Sequence, residues 1–490
     1  MKGKMKKWCS LMLSAALSIS GIMAANPALN VYAGEDLGVR EEASGRLDRG
    51  TGEVTFAKAV NFTKVTIDDA FWGARQKQFI CKVIPTAISN VESATGGIPN
   101  IKNTALMHRG EEHGNFQGAF YVDSDVHKVL ESMCYALMID PQGDAETIAG
   151  QEAIRQKLEE WIPYYQDAQE EDGYFDTYFT LGGSGTREKF SDFNLHELYC
   201  AGHFYEAAVA HYNATGGSDM RLLDMAVKNA DYIASLFGVG KWKQVPGHQE
   251  IELALVKLAQ LCTEIGGEYA QKADTYTELA RFFLDTRGDY TDRHGTNHNS
   301  VYDQDHLPVS EQTSAVGHSV RAFYMYSGMV DVAMETGTDS YDHALLSLWE
   351  DVAKTKTYIT GGVGAVAGHE GFGESYQLPN DTAYNETCAS IANMMWNERM
   401  GRYFDDSKYA DEMERALYNG IISCVNLDGD KFFYGNPMES QGGSSRSTWF
   451  GTACCPSNLV RFVESLGSYI YTQNHKVIFD YLFKSSYMPV

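Results

Sequence analysis

The sequence is poor in long apolar runs, in positive charge and in cysteine. Beyond residue 33, no stretch reaches the ~18 apolar residues that a membrane-spanning helix needs. Lysine and arginine number 40 against 65 acidic residues, and the formal net charge of −25 would repel phosphate backbones and anionic lipid heads. Nucleic acid is therefore not an expected partner. The nine cysteines are too sparse in 490 residues for a small domain held together by disulfides.

The first 33 residues differ in composition from the rest of the chain. They carry four lysines and no acidic residue, continue with an apolar run rich in serine and alanine, and end on small residues at Ala33. This pattern predicts a secretory signal peptide over 1–33, cleaved near Ala33 or Ala25. Loss of the four lysines would lower the formal charge from −25 to −29. We expect a secreted or extracytoplasmic protein with no membrane segment beyond the signal peptide.

The rest of the chain has a dominant helical period. Residues 34–60 are rich in glycine and charge and predict a loose N-terminus. From there on, apolar residues recur at spacings of three and four, and glycine follows several of the runs, as expected at helix ends. About a dozen such segments with little strand between them predict a mainly α fold. The predicted helices cover 71–92, 125–139, 152–168, 196–216, 221–238, 248–266, 273–288, 318–337, 341–355, 386–401, 409–421 and 457–471.

Two stretches have the character of strands. The run over 422–436 contains two β-prone segments joined at Asp428 and Gly429, which predicts a hairpin. The last run, 475–490, alternates apolar and polar residues and predicts a strand with no later partner in the sequence. Either the chain stops inside a second, β-rich domain, or this run pairs with strands elsewhere.

Four polar residues stand at the beginnings of predicted helices. His196, His248, His318 and Glu386 are separated by 52, 70 and 68 residues, each about the length of two helices with their loops. The four residues therefore stand at the starts of every second helix. In a ring of helical hairpins, alternate helices point the same way. We predict that all four lie at one mouth of the ring. The alternative for each histidine is a helix-start residue whose ring is merely hydrogen-bonded.

Three cysteines and one glutamate form a candidate metal site. Glu386 and Cys388 are two residues apart, and Cys454 and Cys455 are adjacent, a spacing at which a disulfide is strained. Three thiolates and a carboxylate suit a tetrahedral Zn²⁺ ion at ~2.0–2.3 Å. Since the sequence has no CxxC pair, buried thiols or ordinary disulfides are the alternative.

A Gly-rich loop of low periodicity covers 361–388. It has no GKS/T sequence and no preceding strand, so it is not a phosphate-binding loop. Long loops between helices often display functional residues. Glu370 and Glu374 lie in this loop, and a carboxyl held near the apolar Phe372 and Tyr376 would have its pKa raised enough for it to donate a proton. The alternative is an ordinary solvated glutamate.

Nine short motifs, taken together, resemble a known family. They are GYFDTYFT (173–180), HELYCAGH (196–203), GHQEIELAL (247–255), AVGHSVRA (315–322), YITGGVGA (358–365), HEGFGESYQLPND (369–381), YNETCAS (384–390), FFYGNP (432–437) and WFGTACCPSN (449–458). In this order they resemble glycoside hydrolase family 127, whose founding activity is β-L-arabinofuranosidase. The paired ETC and CCP motifs are the most specific part. The resemblance implies an (α/α)6 barrel catalytic domain over 61–472 and the start of a truncated β-sandwich domain over 473–490.

The resemblance also implies roles for individual residues. Cys454 is implied as the nucleophile and Glu370 as the general acid/base of a retaining glycosidase. The implied cofactor is Zn²⁺, and the implied substrate is an arabinose-containing oligosaccharide or glycan. The implied metal ligands are Glu386, Cys388, Cys454 and Cys455, and the implied sugar contacts are His196, His248, His318 and Tyr434.

Two other classes of function are compatible with the sequence. Barrels of the (α/α) type also host polysaccharide lyases and sugar epimerases, which use a histidine or tyrosine base and need no zinc thiolate. A secreted, non-catalytic glycan-binding protein with a structural zinc ion is the other alternative.

Overall fold

The computed structural model describes residues 56–296, 300–474, 477–480 and 486–487. The predicted signal peptide over 1–33 and most of the segment 34–60 lie outside these residues. Within the described ranges, no helix has both the length and the hydropathy needed to cross a membrane.

Helices account for most of the described chain. Local sequence signals explain several of their ends: Asp144, for example, accepts a hydrogen bond from Thr147 N at 2.9 Å and caps the helix that begins at Ala145. The helices are α1 (Trp72–Gln78), α2 (Ile84–Val91), α3 (Ile98–His108), α4 (Val122–Met138), α5 (Ala145–Ala168), α6 (Thr177–Thr180), α7 (Glu197–Ala214), α8 (Arg221–Leu236), α9 (Ile251–Ile265), α10 (Gly267–Asp285), α11 (Ser319–Thr336), α12 (Asp342–Asp351), α13 (Thr387–Phe404), α14 (Lys408–Arg415) and α15 (Cys454–Glu464).

Six of these helices form a closed inner ring. They pack in the order α4, α7, α9, α11, α13 and α15, and α15 in turn packs against α4. In α11 every residue over 319–333 is buried, as expected for a helix enclosed on all sides. Along the chain the inner helices alternate with α2, α5, α8, α10, α12 and α14, which form the outer layer. The fold is therefore an (α/α)6 barrel, and the predicted fold class is confirmed.

Short strands join the two ends of the described chain. They are β1 (Lys58–Ala59), β2 (Val65–Thr66), β3 (Tyr471–Asn474), β4 (Val477–Asp480) and β5 (Ser486–Tyr487). β3 lies between β1 and β4 in an antiparallel sheet, with Lys58 opposite Gln473, and β2 pairs with β5. Within the predicted run over 475–490, β5 thus pairs with β2, which precedes the barrel, and β4 pairs with β3; pairing with strands elsewhere is one of the two possibilities that the sequence left open. The β-sandwich domain expected from residue 473 stays a prediction.

Several elements differ from the sequence-based expectation: β1, β2 and the short helix α6 were not predicted, and two further differences are larger. The hairpin predicted over 422–436 is a turn in which only Val425 and Phe432 pair, because residues 422–424 continue the preceding helical segment as a 3₁₀ turn. Helix α3 was not predicted from the sequence. It begins with an Ile-Pro pair that suits a first helical turn, but polar residues interrupt its apolar pattern.

Candidate active site

The N-terminal ends of the six inner helices meet around one cavity of about 250 Å³. Each inner helix contributes a cavity-lining side chain from its first residue or from just before it. The four residues predicted to share a mouth are therefore brought together. In ring order the contributing residues are Tyr121, His196, His248, His318, Glu386 and Cys454.

Three histidines stand in a row along the cavity. The ring centroids of His196 and His248 are 5.5 Å apart, as are those of His248 and His318. Burial lowers the pKa of all three, so the rings are neutral at neutral pH. His196 Nδ1 lies 2.6 Å from Asn194 O, and His248 Nδ1 lies 2.8 Å from Gln249 O. Because a carbonyl only accepts, Nδ1 carries the proton in both rings and Nε2 is left as an acceptor.

Glu370 lies beside the third histidine. His318 Nδ1 accepts the Arg321 N–H at 3.4 Å, so its proton is on Nε2, which donates to Glu370 Oε2 at 3.1 Å. Tyr384 donates its hydroxyl proton to Glu370 Oε1 at 2.8 Å. Both carboxylate oxygens are therefore held by neutral donors. Glu370 is partly buried, and it is not an ordinary solvated loop residue.

The structure corrects the raised pKa that the sequence suggested for Glu370. Tyr376, one of the expected apolar neighbours, is 73% exposed and gives no cover. Burial does raise the pKa of Glu370, but the hydrogen bonds from His318 and Tyr384 outweigh it and hold the pKa below its usual value. The expectation was wrong because neither donor is a close neighbour of Glu370 in sequence: His318 lies before the loop, and Tyr384 lies 14 residues further along it. In the free protein Glu370 is ionised at neutral pH.

A backbone contact fixes the position of Glu370. Gly371 forms an antiparallel bridge with His318, and Ser319 N donates to Glu370 O at 3.2 Å. A Cβ atom at Gly371 would lie 1.9 Å from Gly317 O, so a side chain there is incompatible with this approach. Glu370 itself has a left-handed φ of 53°, an uncommon conformation for a residue other than glycine. The loop is thereby held against the start of α11.

The predicted metal ligands form a second cluster in the same cavity. One ligand atom from each of Glu386, Cys388, Cys454 and Cys455 lies within 4.8 Å of the others. Cys454 Sγ is 3.7 Å and Cys455 Sγ is 3.5 Å from Glu386 Oε1, and the two sulfurs are 3.9 Å apart. Tyr434 Oη lies 3.0 Å from Cys454 Sγ. In the described part of the chain every cysteine is free, and this cluster contains no disulfide.

The cluster fits a thiophilic divalent metal ion. Glu386 Oε2 is buried and has no hydrogen-bond partner among the described residues. Burial would raise the pKa of Cys388, but hydrogen bonds from Cys454 and Cys455 lower it to about 6. The pKa of Cys454 is raised, first by its hydrogen bond with Cys388, and that of Cys455 is raised by burial. The three sulfurs therefore need added positive charge before they can all ionise, which is what a bound cation supplies.

The protein itself brings positive charge to the sulfurs. Cys454 is the first residue of α15 and Cys388 the second of α13, so the positive ends of two helix dipoles face the cluster. Lys128 on α4 is fully buried, with Nζ 3.5 Å from Asp125 Oδ1 and 5.1 Å from the Tyr199 ring centroid. Its charge interacts with those of Cys454 and Cys388. A cation buried inside the ring favours anionic sulfur.

Comparison with known proteins identifies the family. A family model described as Beta-L-arabinofuranosidase, GH127 catalytic domain, matches residues 64–468. The chain belongs to glycoside hydrolase family 127. A curated relative, the non-reducing end beta-L-arabinofuranosidase of Bifidobacterium longum subsp. longum, is 32% identical over 458 residues, which are 84% of this chain and 66% of the relative.

Two solved GH127 structures resemble this one. A GH127 beta-arabinofuranosidase is 40% identical, with a TM-score of 0.77 over 87% of this chain and 64% of its own. A GH127 beta-L-arabinofuranosidase from Geobacillus stearothermophilus T6 is also 40% identical, with a TM-score of 0.75 over 86% of this chain and 68% of its own. This GH127 chain thus spans about two thirds of the length of the relatives that it matches.

Sequence reasoning missed several polar residues of this GH127 site. Arg321 donates to the backbone carbonyl of Gly247, next to His248, and its guanidinium lies 4.4 Å from the centroid of the Tyr302 ring. Tyr384, the second donor to Glu370, was missed as well. Both lie inside quoted motifs, AVGHSVRA and YNETCAS, and membership of those motifs was the only available signal. A helical period alone marks Arg321 as a core residue, and Tyr384 lies in the loop over 361–388, where no period applies.

Proposed function

We propose that the protein is a secreted, retaining β-L-arabinofuranosidase that removes arabinose from an arabinose-containing oligosaccharide or glycan. One observation carries the proposal: a cluster of sulfurs and a hydrogen-bonded carboxylate line the same cavity. Glu386 joins the two groups, since its carboxylate lies within 4.8 Å of that of Glu370 and its Oε1 is 3.7 Å from Cys454 Sγ.

The two groups can divide the chemistry of retention between them. A retaining glycosidase needs a nucleophile on one side of the anomeric carbon and a proton donor on the other. The Cys454 thiolate attacks the anomeric carbon, the C–S bond forms as the C–O bond breaks, and the Glu370 carboxyl gives its proton to the leaving oxygen. Glu370 then takes a proton from water, whose oxygen attacks the same carbon as the C–S bond breaks. The thiolate and the protonated Glu370 are restored, and two inversions preserve the configuration.

Glu370 has to acquire its proton before the first step. In the free protein the donors His318 and Tyr384 favour the carboxylate. A sugar in the cavity displaces water from Glu370, and this desolvation raises the pKa of the carboxyl. Binding of the substrate and protonation of Glu370 are therefore coupled. The same two donors orient the carboxyl toward the cavity throughout the cycle.

The sugar and the nucleophile are held by neutral side chains. His196 and His248 present Nε2 as an acceptor for sugar hydroxyls, and Tyr434 contacts both the cavity and Cys454 Sγ. We assign the metal as zinc, held by Glu386, Cys388, Cys454 and Cys455. When bound, zinc supplies positive charge that stabilises the thiolate form of its cysteine ligands.

Turnover and metal content test this proposal together. Purified protein is incubated with aryl β-L-arabinofuranoside, the anomer released first is read by NMR, and zinc is measured in the same preparation. Cys454→Ala and Glu370→Ala should each abolish turnover. The matched controls are Cys262→Ala, a buried cysteine of α9, and Glu374→Ala, an exposed glutamate of the Glu370 loop, and both should keep it. An inverted product, an unsaturated or epimerised sugar, or turnover that survives Cys454→Ala would contradict the proposal.

Export is part of the same proposal. The lysines, apolar run and small residues of 1–33 support a cleaved signal peptide. Mass spectrometry of protein from the culture medium should find a mature N-terminus just after Ala33 or Ala25. Intact protein that stays in the cytoplasm would contradict export without affecting the proposed chemistry.

A further inference from the structure

Partly exposed aromatic rings lead from the cavity toward the protein surface. Phe120 lines the cavity next to His196, with ring centroids 5.1 Å apart. The Tyr178 ring follows at 6.1 Å from Phe120, and the Phe116 ring at 5.1 Å from Tyr178. All three rings keep part of their surface accessible to solvent. We call Phe116, Tyr178 and Phe120 the aromatic wall.

Helix α3 holds the loop that carries Phe116. Asn100 Nδ2 donates to Gln117 O at 2.8 Å, and Asn100 Oδ1 accepts from Gln117 N at 3.0 Å. Asn103 Oδ1 accepts from Gly114 N at 3.0 Å on the other side of Phe116. The loop is thus fixed on both sides of the ring. A surface ordered in advance costs little further entropy when a ligand binds to it.

A glycine allows the backbone after α6 to approach the two outer rings. A Cβ atom at Gly183 would lie 2.6 Å from a ring atom of Tyr178 and 2.9 Å from one of Phe116. The backbone after α6 therefore packs directly against both rings. This support keeps the wall continuous between its outer and inner ends.

The inner end of the wall lies at the cavity, because Phe120 is one of the lining residues. The ends of six helices surround the cavity, so any part of the substrate beyond the released sugar extends through the mouth. Phe120 lines the cavity, Phe116 lies outside the cavity lining and is partly exposed, and the exposed polar residues Asn115 and Gln117 flank Phe116. A sugar ring matches this surface, since its C–H face packs on aromatic faces while its hydroxyls reach polar neighbours.

We propose that the aromatic wall binds the saccharide unit that is next to the released arabinose and becomes the leaving group. This inference rests on the proposed function and adds to it that the enzyme prefers an oligosaccharide to a simple alkyl glycoside. The occupant is a sugar ring, because its C–H face packs on aromatic rings such as these.

The test compares two substrates that carry different leaving groups on the same released sugar. kcat/KM is measured on a β-L-arabinofuranosyl disaccharide and on methyl β-L-arabinofuranoside, for the wild type, Phe116→Ala and Phe116→Tyr. We expect Phe116→Ala to lower the disaccharide value by about ten-fold while the methyl value changes less than about two-fold, and Phe116→Tyr to restore it. Phe71→Ala removes another exposed ring, 43% accessible and outside the cavity lining, and should leave the ratio of the two values unchanged.

The ratio separates recognition from a general loss of folded protein, because partial unfolding lowers both values equally. Equal losses on the two substrates, or a disaccharide value unaffected by Phe116→Ala, would overturn the aromatic wall as a binding site and leave the proposed function intact. A wild-type protein that hydrolyses neither substrate would overturn the proposed function and this inference with it.

Discussion

Replacement of Gly371 by alanine should disable catalysis while the barrel stays folded. The added Cβ atom would lie 1.9 Å from Gly317 O, whereas contacts below 3.0 Å are essentially never seen for real Cβ atoms, so the loop has to move by about 1 Å. The displaced segment is the one that holds Glu370 beside His318. Misplacement of a catalytic group by about 1 Å costs roughly 100-fold in rate. We expect kcat/KM on an aryl β-L-arabinofuranoside to fall by about this factor.

The same loop offers a matched control. Gly368 lies three residues earlier, and a Cβ atom there would meet nothing within 4 Å. Gly368→Ala should keep wild-type kcat/KM and raise the free energy of unfolding by up to about 1 kcal/mol, because alanine restricts the unfolded chain. Gly371→Ala should lower the free energy of unfolding by about 1–3 kcal/mol, because it forces the backbone to shift. Zinc content should be equal in both variants, since all four proposed ligands lie outside the bridge.

A Gly371→Ala protein whose kcat/KM stays within about three-fold of the wild type would show that the close approach of Gly371 to Gly317 does not set the position of Glu370. A loss of activity accompanied by loss of zinc would contradict this role as well, because the damage would then have spread to the sulfur cluster.

Three further predictions concern single groups. Tyr384→Phe removes a donor that holds the pKa of Glu370 low, so this pKa should rise and the basic limb of the kcat/KM profile should move to higher pH; an unmoved limb would exclude the hydrogen bond as the cause. Burial raises the pKa of Glu464 well above its usual value, and neither carboxylate oxygen has a hydrogen-bond partner among the described residues. The contribution of Glu464 to the free energy of unfolding is therefore complete below its unfolded-state pKa, and it is lost as the pH rises toward the folded-state pKa, at up to about 1.4 kcal/mol per pH unit. Urea denaturation should show that the free energy of unfolding falls less between pH 4 and pH 8 in Glu464→Gln than in the wild type. Equal falls in the two proteins would contradict this. A chelator should remove the metal, abolish turnover and lower the melting temperature, because the ligands join α13 and α15; zinc should reverse all three effects, and full activity in metal-free protein would contradict the assignment.

The sequence was sufficient to predict that the N-terminal ends of several helices lie close together. Spacings of 52, 70 and 68 residues place His196, His248, His318 and Glu386 at equivalent points of successive helix pairs, and a ring of hairpins brings such points to one end. The prediction needed only the period of the helices and the alternation of their directions. Both are properties of local sequence, and the structure brings the four residues together around the cavity.

The chemistry of Glu370 could not be predicted in the same way. Its two donors lie 52 residues before it and 14 residues after it, and each reaches the carboxylate through loop geometry. Glu370 and Asn385 have a left-handed backbone conformation, which the sequence does not indicate because neither residue is a glycine. The apolar neighbours in sequence suggested a raised pKa, whereas neighbours in space lower it. Local composition describes a loop poorly when distant donors decide its electrostatics.

Helix α3 was missed for a related reason. Its sequence, IPNIKNTALMH, mixes polar and apolar residues without a clear face, because Asn100 is buried to hold a loop and not to build the core. A periodicity argument treats a buried asparagine as a break in the pattern. Asn100 thus interrupts the helical pattern in the sequence, and it is also the residue through which α3 holds the loop.

The strands at the two ends of the barrel have a consequence for the order of folding. Lys58 pairs with Gln473, and α15 completes the ring only by returning to α4. Contacts between residues so far apart in sequence form late, since a long loop of chain must first be closed. During synthesis, an incomplete ring of helices has to persist until its final member has left the ribosome. Chains interrupted before that point would expose an open edge of inner helices, which chaperones and proteases recognise as unfinished protein.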